Sequence, residues 1–225
     1  MKYFLALLAL IILALLAPLL FVSEKQAQAP ATHGMPWQIE TPAAGQSQVF
    51  GLVLGTTPAL PASSLADARR LSRETPKLAL VAPADDALSL EAYFETIALG
   101  PLSGKLLVTL DVAPAELQAM RERAAKSDYM STGTKQFLLN EADRTRAESL
   151  PLRAIAFIPS GSLDEAVILQ RFGTPAERIR QGETLEHFLY PEKGLDVVLD
   201  SKGKEVLQYV APAQFARLRE PLIAK

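Results

Sequence analysis

The chain has 225 residues, no cysteine and a formal net charge of −2. That length supports one large domain or two small ones with real cores. The near-neutral charge excludes the basic field that holds nucleic acid; the missing cysteines exclude disulfides, thiolate metal sites, thiol catalysis and a lipidated N-terminal cysteine.

The first element is apolar. Tyr3–Val22 reads YFLALLALIILALLAPLLFV, without a charge. At about 1.5 Å rise per residue this run is roughly 30 Å long as a helix, the thickness of a bilayer's hydrocarbon core. Lys2 precedes it, Glu24 and Lys25 follow, and the next cation is Arg69. The positive-inside bias then predicts a single-pass inner-membrane anchor over residues 1–22, contacting the membrane through residues 3–22, with the bulk of the chain in the periplasm. The alternative is a signal peptide cleaved after Ala29, since Ala27-Gln28-Ala29 fits an A-x-A site, although Pro30 follows directly. Residues 23–48, rich in Ala, Pro, Gln and Gly, read as a flexible tether, with Trp37 as an interfacial or domain-docking aromatic.

Beyond the tether the sequence reads as duplicated. Ser64-Leu65-Ala66-Asp67-Ala68 matches Ser162-Leu163-Asp164-Glu165-Ala166 at an offset of 98, and Val112-Ala113-Pro114-Ala115 matches Val210-Ala211-Pro212-Ala213 at the same offset. Thr75-Pro76 and Leu90-Glu91 have counterparts at Thr174-Pro175 and Leu185-Glu186. The predicted fold is therefore α+β: a transmembrane helix, then two tandem repeats of a small helix-plus-three-stranded antiparallel sheet. The first module spans 49–120, a helical linker insertion 121–150, and the second module 151–225.

Within the modules, Ser64 and Ser162 are predicted N-caps, the second with Glu165 completing a capping box. Gly173-Thr174-Pro175 is predicted to end the second helix. Ala176–Arg180 is read as a further helical turn. Strands are predicted near Lys77–Val81, Ala92–Ala98 and Lys105–Val112, then at Thr184–Tyr190, Gly194–Asp200 and Glu205–Val210, with a short closing helix over Ala213–Leu218. In the insertion, Pro114–Ala125 and Lys135–Glu148 are predicted helical, with charges on solvated faces.

The second module resembles the SmpA/OmlA family, the BamE-type small envelope lipoproteins of the outer-membrane assembly machinery. The Ser162-led helix, Gly173-Thr174-Pro175, the aromatic strand ending at Leu189-Tyr190, and Val197-Val198-Leu199-Asp200 before Gly203 carry the likeness. The resemblance implies two short helices on a three-stranded antiparallel sheet. The family's lipobox cysteine is missing, Phe188 stands where the family has Trp, and no partner-binding residue is carried over.

Chemistry-bearing groups are sparse. Only His33 and His187 exist, too few for a metal centre, so no metal and no cofactor is expected. Alternation puts Leu185, His187 and Leu189 on one strand face and Glu186, Phe188 and Tyr190 on the other; His187 is read as a partly buried structural histidine. Ser131 and Lys135 have S-x-x-x-K rather than S-x-x-K spacing and lack the accompanying motifs. Asp85-Asp86 reads as a turn. The expected function is a non-enzymatic, membrane-anchored periplasmic module that binds an envelope protein, with Phe188, Tyr190 and Pro191 as candidate partner contacts. The alternatives are an envelope hydrolase using Ser131/Lys135 or His187, and an inhibitor-like module.

Overall fold

The computed structural model describes residues 34–72, 74–82, 87–99, 102–129 and 133–224. The chain divides into two units, Met1–Thr32 and His33–Lys225, and the described residues belong to the second. Its elements begin with a hairpin, β1 (Ser47–Val49) and β2 (Leu52–Leu54). A short helix α1 (Leu65–Ala68) follows, then strands β3 (Lys77–Ala82), β4 (Ser89–Leu99) and β5 (Leu102–Leu110). Helix α2 (Pro114–Glu122) leads to β6 (Lys126–Tyr129), β7 (Lys135–Leu138) and helix α3 (Glu141–Ala147). Strand β8 (Leu152–Pro159) and helix α4 (Glu165–Phe172) come next. The chain ends with β9 (Glu177–Gln181), β10 (Leu185–Tyr190), β11 (Leu195–Asp200), β12 (Val206–Val210) and helix α5 (Ala216–Ile223).

The expected pair of three-stranded modules is not what forms. Ten strands make one antiparallel sheet in the order β6-β7-β3-β4-β5-β8-β12-β11-β10-β9. The joint is β8, which pairs with β5 on one side and β12 on the other. Two separate sheets would present four strand edges, whereas fusion through β8 leaves two, removing a pair of aggregation-prone borders. The remaining edges carry charge: Arg178 and Arg180 on β9, Lys126 and Asp128 on β6.

One face of the sheet carries the main core. Leu80, Leu90, Phe94, Leu106, Phe157 and Leu207 pack there with α1, α2, α3, α4 and the β1–β2 hairpin. Phe50, at the tip of that hairpin, sets its ring edge-on to Phe157 and Tyr209 at 5.5 and 5.6 Å. The opposite face carries a smaller cluster of Leu189, Val210 and Phe215, onto which Leu218 and Leu222 of α5 pack. The two Val-Ala-Pro-Ala segments thus do the same local job, ending a strand and starting a helix. Their helices nonetheless lie on opposite faces, α2 on the main core and α5 on the smaller cluster.

The local signals have mixed fates. Ser64 is an N-cap with a complete capping box through Asp67. At the matching segment the N-cap is Asp164, accepting from the Val167 amide at 2.8 Å, rather than Ser162. Gly173 ends α4 at φ +85°, where a side chain would be strained. The turn expected over Ala176–Arg180 is strand β9, because Glu177, Ile179 and Gln181 alternate with Arg178 and Arg180 and pair along β10. The helix expected over Lys135–Glu148 splits into β7 and α3, with Asn140 capping α3 through the Asp143 amide at 2.8 Å.

Residues 23–33 of the expected tether lie outside the described residues. From Gly34 onward the chain is seated on the domain: Trp37 packs edge-on to Phe172 at 6.5 Å, and the Pro36 carbonyl accepts the buried Tyr209 hydroxyl at 2.9 Å. The inner-membrane placement also needs correction. Among the described residues no helix is long and apolar enough to cross a membrane, so a single-pass anchor finds no support. The run 3–22, on which that expectation rested, lies outside the described residues.

Candidate functional site

The residues singled out in the sequence do not converge. Phe188 is fully buried, with the Arg178 guanidinium 4.4 Å above its ring. Tyr190 is 5 % exposed and its hydroxyl donates to the Gly173 carbonyl at 2.9 Å. Burial presses the Tyr190 phenol above its ordinary value. Pro191 opens a short 3-10 turn that Gly194 closes in the left-handed region. Two of the three candidate contacts are therefore core, and only Pro191 is partly exposed. Phe188 and Tyr190 sit on the aromatic side of β10, and that side faces the main core. Lys135 lies over the rings of Tyr129 and Phe137, at 5.8 and 5.2 Å. Ser131, Asp85, Asp86 and His33 lie outside the described residues.

His187 occupies the opposite face of β10, where alternation placed it, and it has a partner that the sequence analysis missed. Its Nδ1 is 2.8 Å from a carboxylate oxygen of Asp196, and both residues are buried. Burial lifts the Asp196 carboxyl above its ordinary value, and the His187 hydrogen bond offsets this in part. The pairing register explains the contact. The Pro191–Gly194 turn sets Leu189 opposite Asp196 and His187 opposite Val198, so His187 and Asp196 are diagonal neighbours on one face. The legible signal was an aspartate inside the apolar run Leu195–Leu199. Among the described residues His187 Nε2 and the second Asp196 oxygen have no hydrogen-bond partner. A histidine oriented by a carboxylate supplies two of the three members of a nucleophile-activating triad, but this one is buried away from any substrate.

A different place combines charge and access. A cleft of about 670 Å³ is lined by the start of α2, the start of α5 and Arg153 of β8. Leu88, Val112 and Leu117 form an apolar wall, and Arg153 and Arg217 bring positive charge. Arg153 owes its position to an irregularity in β8. The pairing passes from Thr109 opposite Ala154 to Leu110 opposite Leu152, leaving Arg153 as the extra residue of a bulge. Bulges re-aim side chains at functional sites, and a regular ladder would have given this position a fixed alternate direction. Arg217 arrives from α5, which Phe215, Leu218 and Leu222 hold on the sheet. A bidentate ion pair of Arg219 with Glu177 on β9, at 2.7 and 3.1 Å, ties the same helix down.

The electrostatics of Arg153 are unusual. Burial and then the like charge of Arg217 press its guanidinium below the ordinary arginine value, against weaker support from Asp111 and Glu91. Neither arginine makes a hydrogen bond or ion pair among the described residues. Arg123 is a contrast. Arg123 grips Asp143 at 2.8 and 2.9 Å and Glu116 at 2.6 Å, and those contacts raise its value further. No group of three or more His, Asp or Glu suited to a metal ion occurs among the described residues.

No protein-family model matches the chain, and neither a curated protein nor a solved structure matches it.

Proposed function

We propose that this chain is a protein-interaction module that receives a segment of a partner protein in the cleft between α2, α5 and the sheet. The observation that carries this reading is the pair Arg153 and Arg217, held in an accessible cleft beside an apolar wall with no hydrogen bond or ion pair of their own among the described residues. A cation half withdrawn from water without a partner is unfavourable in the free protein, and a docked anion relieves it. The apolar wall adds the non-directional part of the affinity, and the arginines add direction. The buried His187–Asp196 pair supports the non-catalytic side of the proposal, since a base for a hydrolase needs reach to its substrate.

The test uses the full-length chain in the cells that make it. A photo-cross-linking residue replaces Gln118, exposed on the cleft rim, or Lys202, exposed in the β11–β12 turn. A discrete protein adduct is expected through Gln118 and none through Lys202. Ala113→Trp, which fills the cleft mouth, should abolish the Gln118 adduct. An adduct that is absent at Gln118, or that persists with Ala113→Trp, overturns the reading.

A further inference from the structure

The same cleft specifies what the partner must bring. Arg153 and Arg217 come from elements far apart in sequence, a bulge in β8 and the first turn of α5. The charged groups that act on Arg153 are Arg217, Asp111 and Glu91. Glu91 already accepts the Ser89 hydroxyl at 2.7 Å. Among the described residues Asp111 and Glu91 offset part of the positive charge on Arg153. A dianion doubles the attraction to the arginines and the repulsion from Asp111 and Glu91 alike, so the choice of ligand falls to the shape of the guanidinium and to the wall beside it. A guanidinium is also a planar fork that matches the two oxygens of a carboxylate. The wall beside it is built from Leu88, Val112 and Leu117, which gain nothing from a bare hydrated ion but do gain from an apolar side chain.

We infer that Arg153 and Arg217 form a carboxylate-binding pair whose ligand is a peptide segment carrying an Asp or Glu side chain next to an apolar residue. This rests on the docking reading above and deepens it.

The test follows the Nε–H signals of both arginines by NMR in the full-length chain. The probes are the capped tripeptide acetyl-Leu-Glu-Leu-amide, its glutamine counterpart and inorganic phosphate. The glutamate peptide should shift both signals saturably, with weak affinity in the millimolar range expected of so small a ligand. The glutamine peptide should bind about tenfold more weakly or not at all, because it loses the charge-assisted bonds. Arg153→Gln and Arg217→Gln should each reduce the glutamate peptide's affinity by a similar factor, and Lys202→Gln should leave it unchanged. Arg153→Lys keeps the charge but loses the fork, and should fall between. An unchanged urea midpoint shows that each variant is folded. The inference is overturned if the glutamate peptide gives no saturable shift, if the glutamine peptide binds equally well, or if phosphate binds more tightly than the glutamate peptide. If the Gln118 adduct is blocked by Ala113→Trp yet survives both arginine variants, docking stands and the carboxylate pair fails. Loss of the adduct in every background except the arginine variants' parent supports both.

Discussion

Phe50 is the place where two opposing energies are easiest to separate. It and Gly51 form the two-residue turn between β1 and β2, at φ +57° and +76°. Positive φ at both central positions is the mark of a type I′ hairpin turn, where Asn-Gly is the favoured pair. A phenylalanine held there costs about 1–2 kcal/mol in backbone strain. Its ring is 1 % exposed and packs edge-on against Phe157 and Tyr209. Removing a buried ring costs about 3–5 kcal/mol. Phe50→Ala loses the ring and keeps the strain. Phe50→Gly loses the ring and the strain but adds about 0.4–1 kcal/mol of unfolded-state entropy. Glycine should therefore be more stable than alanine at this position by roughly 0.5–1 kcal/mol, the reverse of the usual order. Val53, buried in β2, provides the comparison, because there alanine should exceed glycine. Urea denaturation of the full chain measures both pairs through their midpoints at constant m. A Phe50→Ala variant as stable as Phe50→Gly, with m unchanged, refutes the strain argument.

The remaining predictions are shorter. A Cβ at Gly104 would run into the Ile158 carbonyl and the Phe157 ring, so Gly104→Ala should lower the melting temperature, with a cost of about 1–3 kcal/mol or more. An unchanged melting curve would show that β5 and β8 can separate there. Asp196 keeps its proton to higher pH in the folded chain than its ordinary value of 3.8. The folded state therefore binds more protons than the unfolded one above that value, and Asp196 withdraws stability as pH rises through the window. Asp196→Asn should gain on the wild type over that pH range and track it below; parallel urea midpoints throughout would refute this. Arg219→Met removes the ion pair to Glu177, so amides of α5 should exchange faster with solvent while those of β8 stay slow.

The strands were legible because their alternation was strong. β3, β4, β5, β10, β11 and β12 all fall within a few residues of expectation. The sheet was not legible, because nothing local in Leu152–Pro159 says that it pairs on both sides. Two similar segments can each satisfy a local pattern, and only non-local pairing decides whether they join one sheet. The short charged strand β9 and the strand–helix split at Asn140 failed for a related reason: few residues carry the period, and tertiary pairing overrides it. At the candidate site, an arginine near the start of a strand looks like any solvated residue. Its direction comes from one missing ladder partner, which no sequence window displays. The His187–Asp196 contact was nearer to reach, since a hairpin turn of known length fixes that register.

The strand β8 also sets a timetable. During synthesis β5 is complete roughly 40 residues before β8 emerges, and at about 5–20 residues per second its open border waits for several seconds. The β3 border likewise waits for β7, so the nascent β3–β4–β5 sheet spends most of that interval open on both sides. The ribosome-bound chain, rather than the finished fold, is the species most exposed to wrong pairing. The Lys105 ammonium on β5, already paired with Glu95 of β4 at 3.1 Å, places charge beside that border before its permanent neighbour arrives.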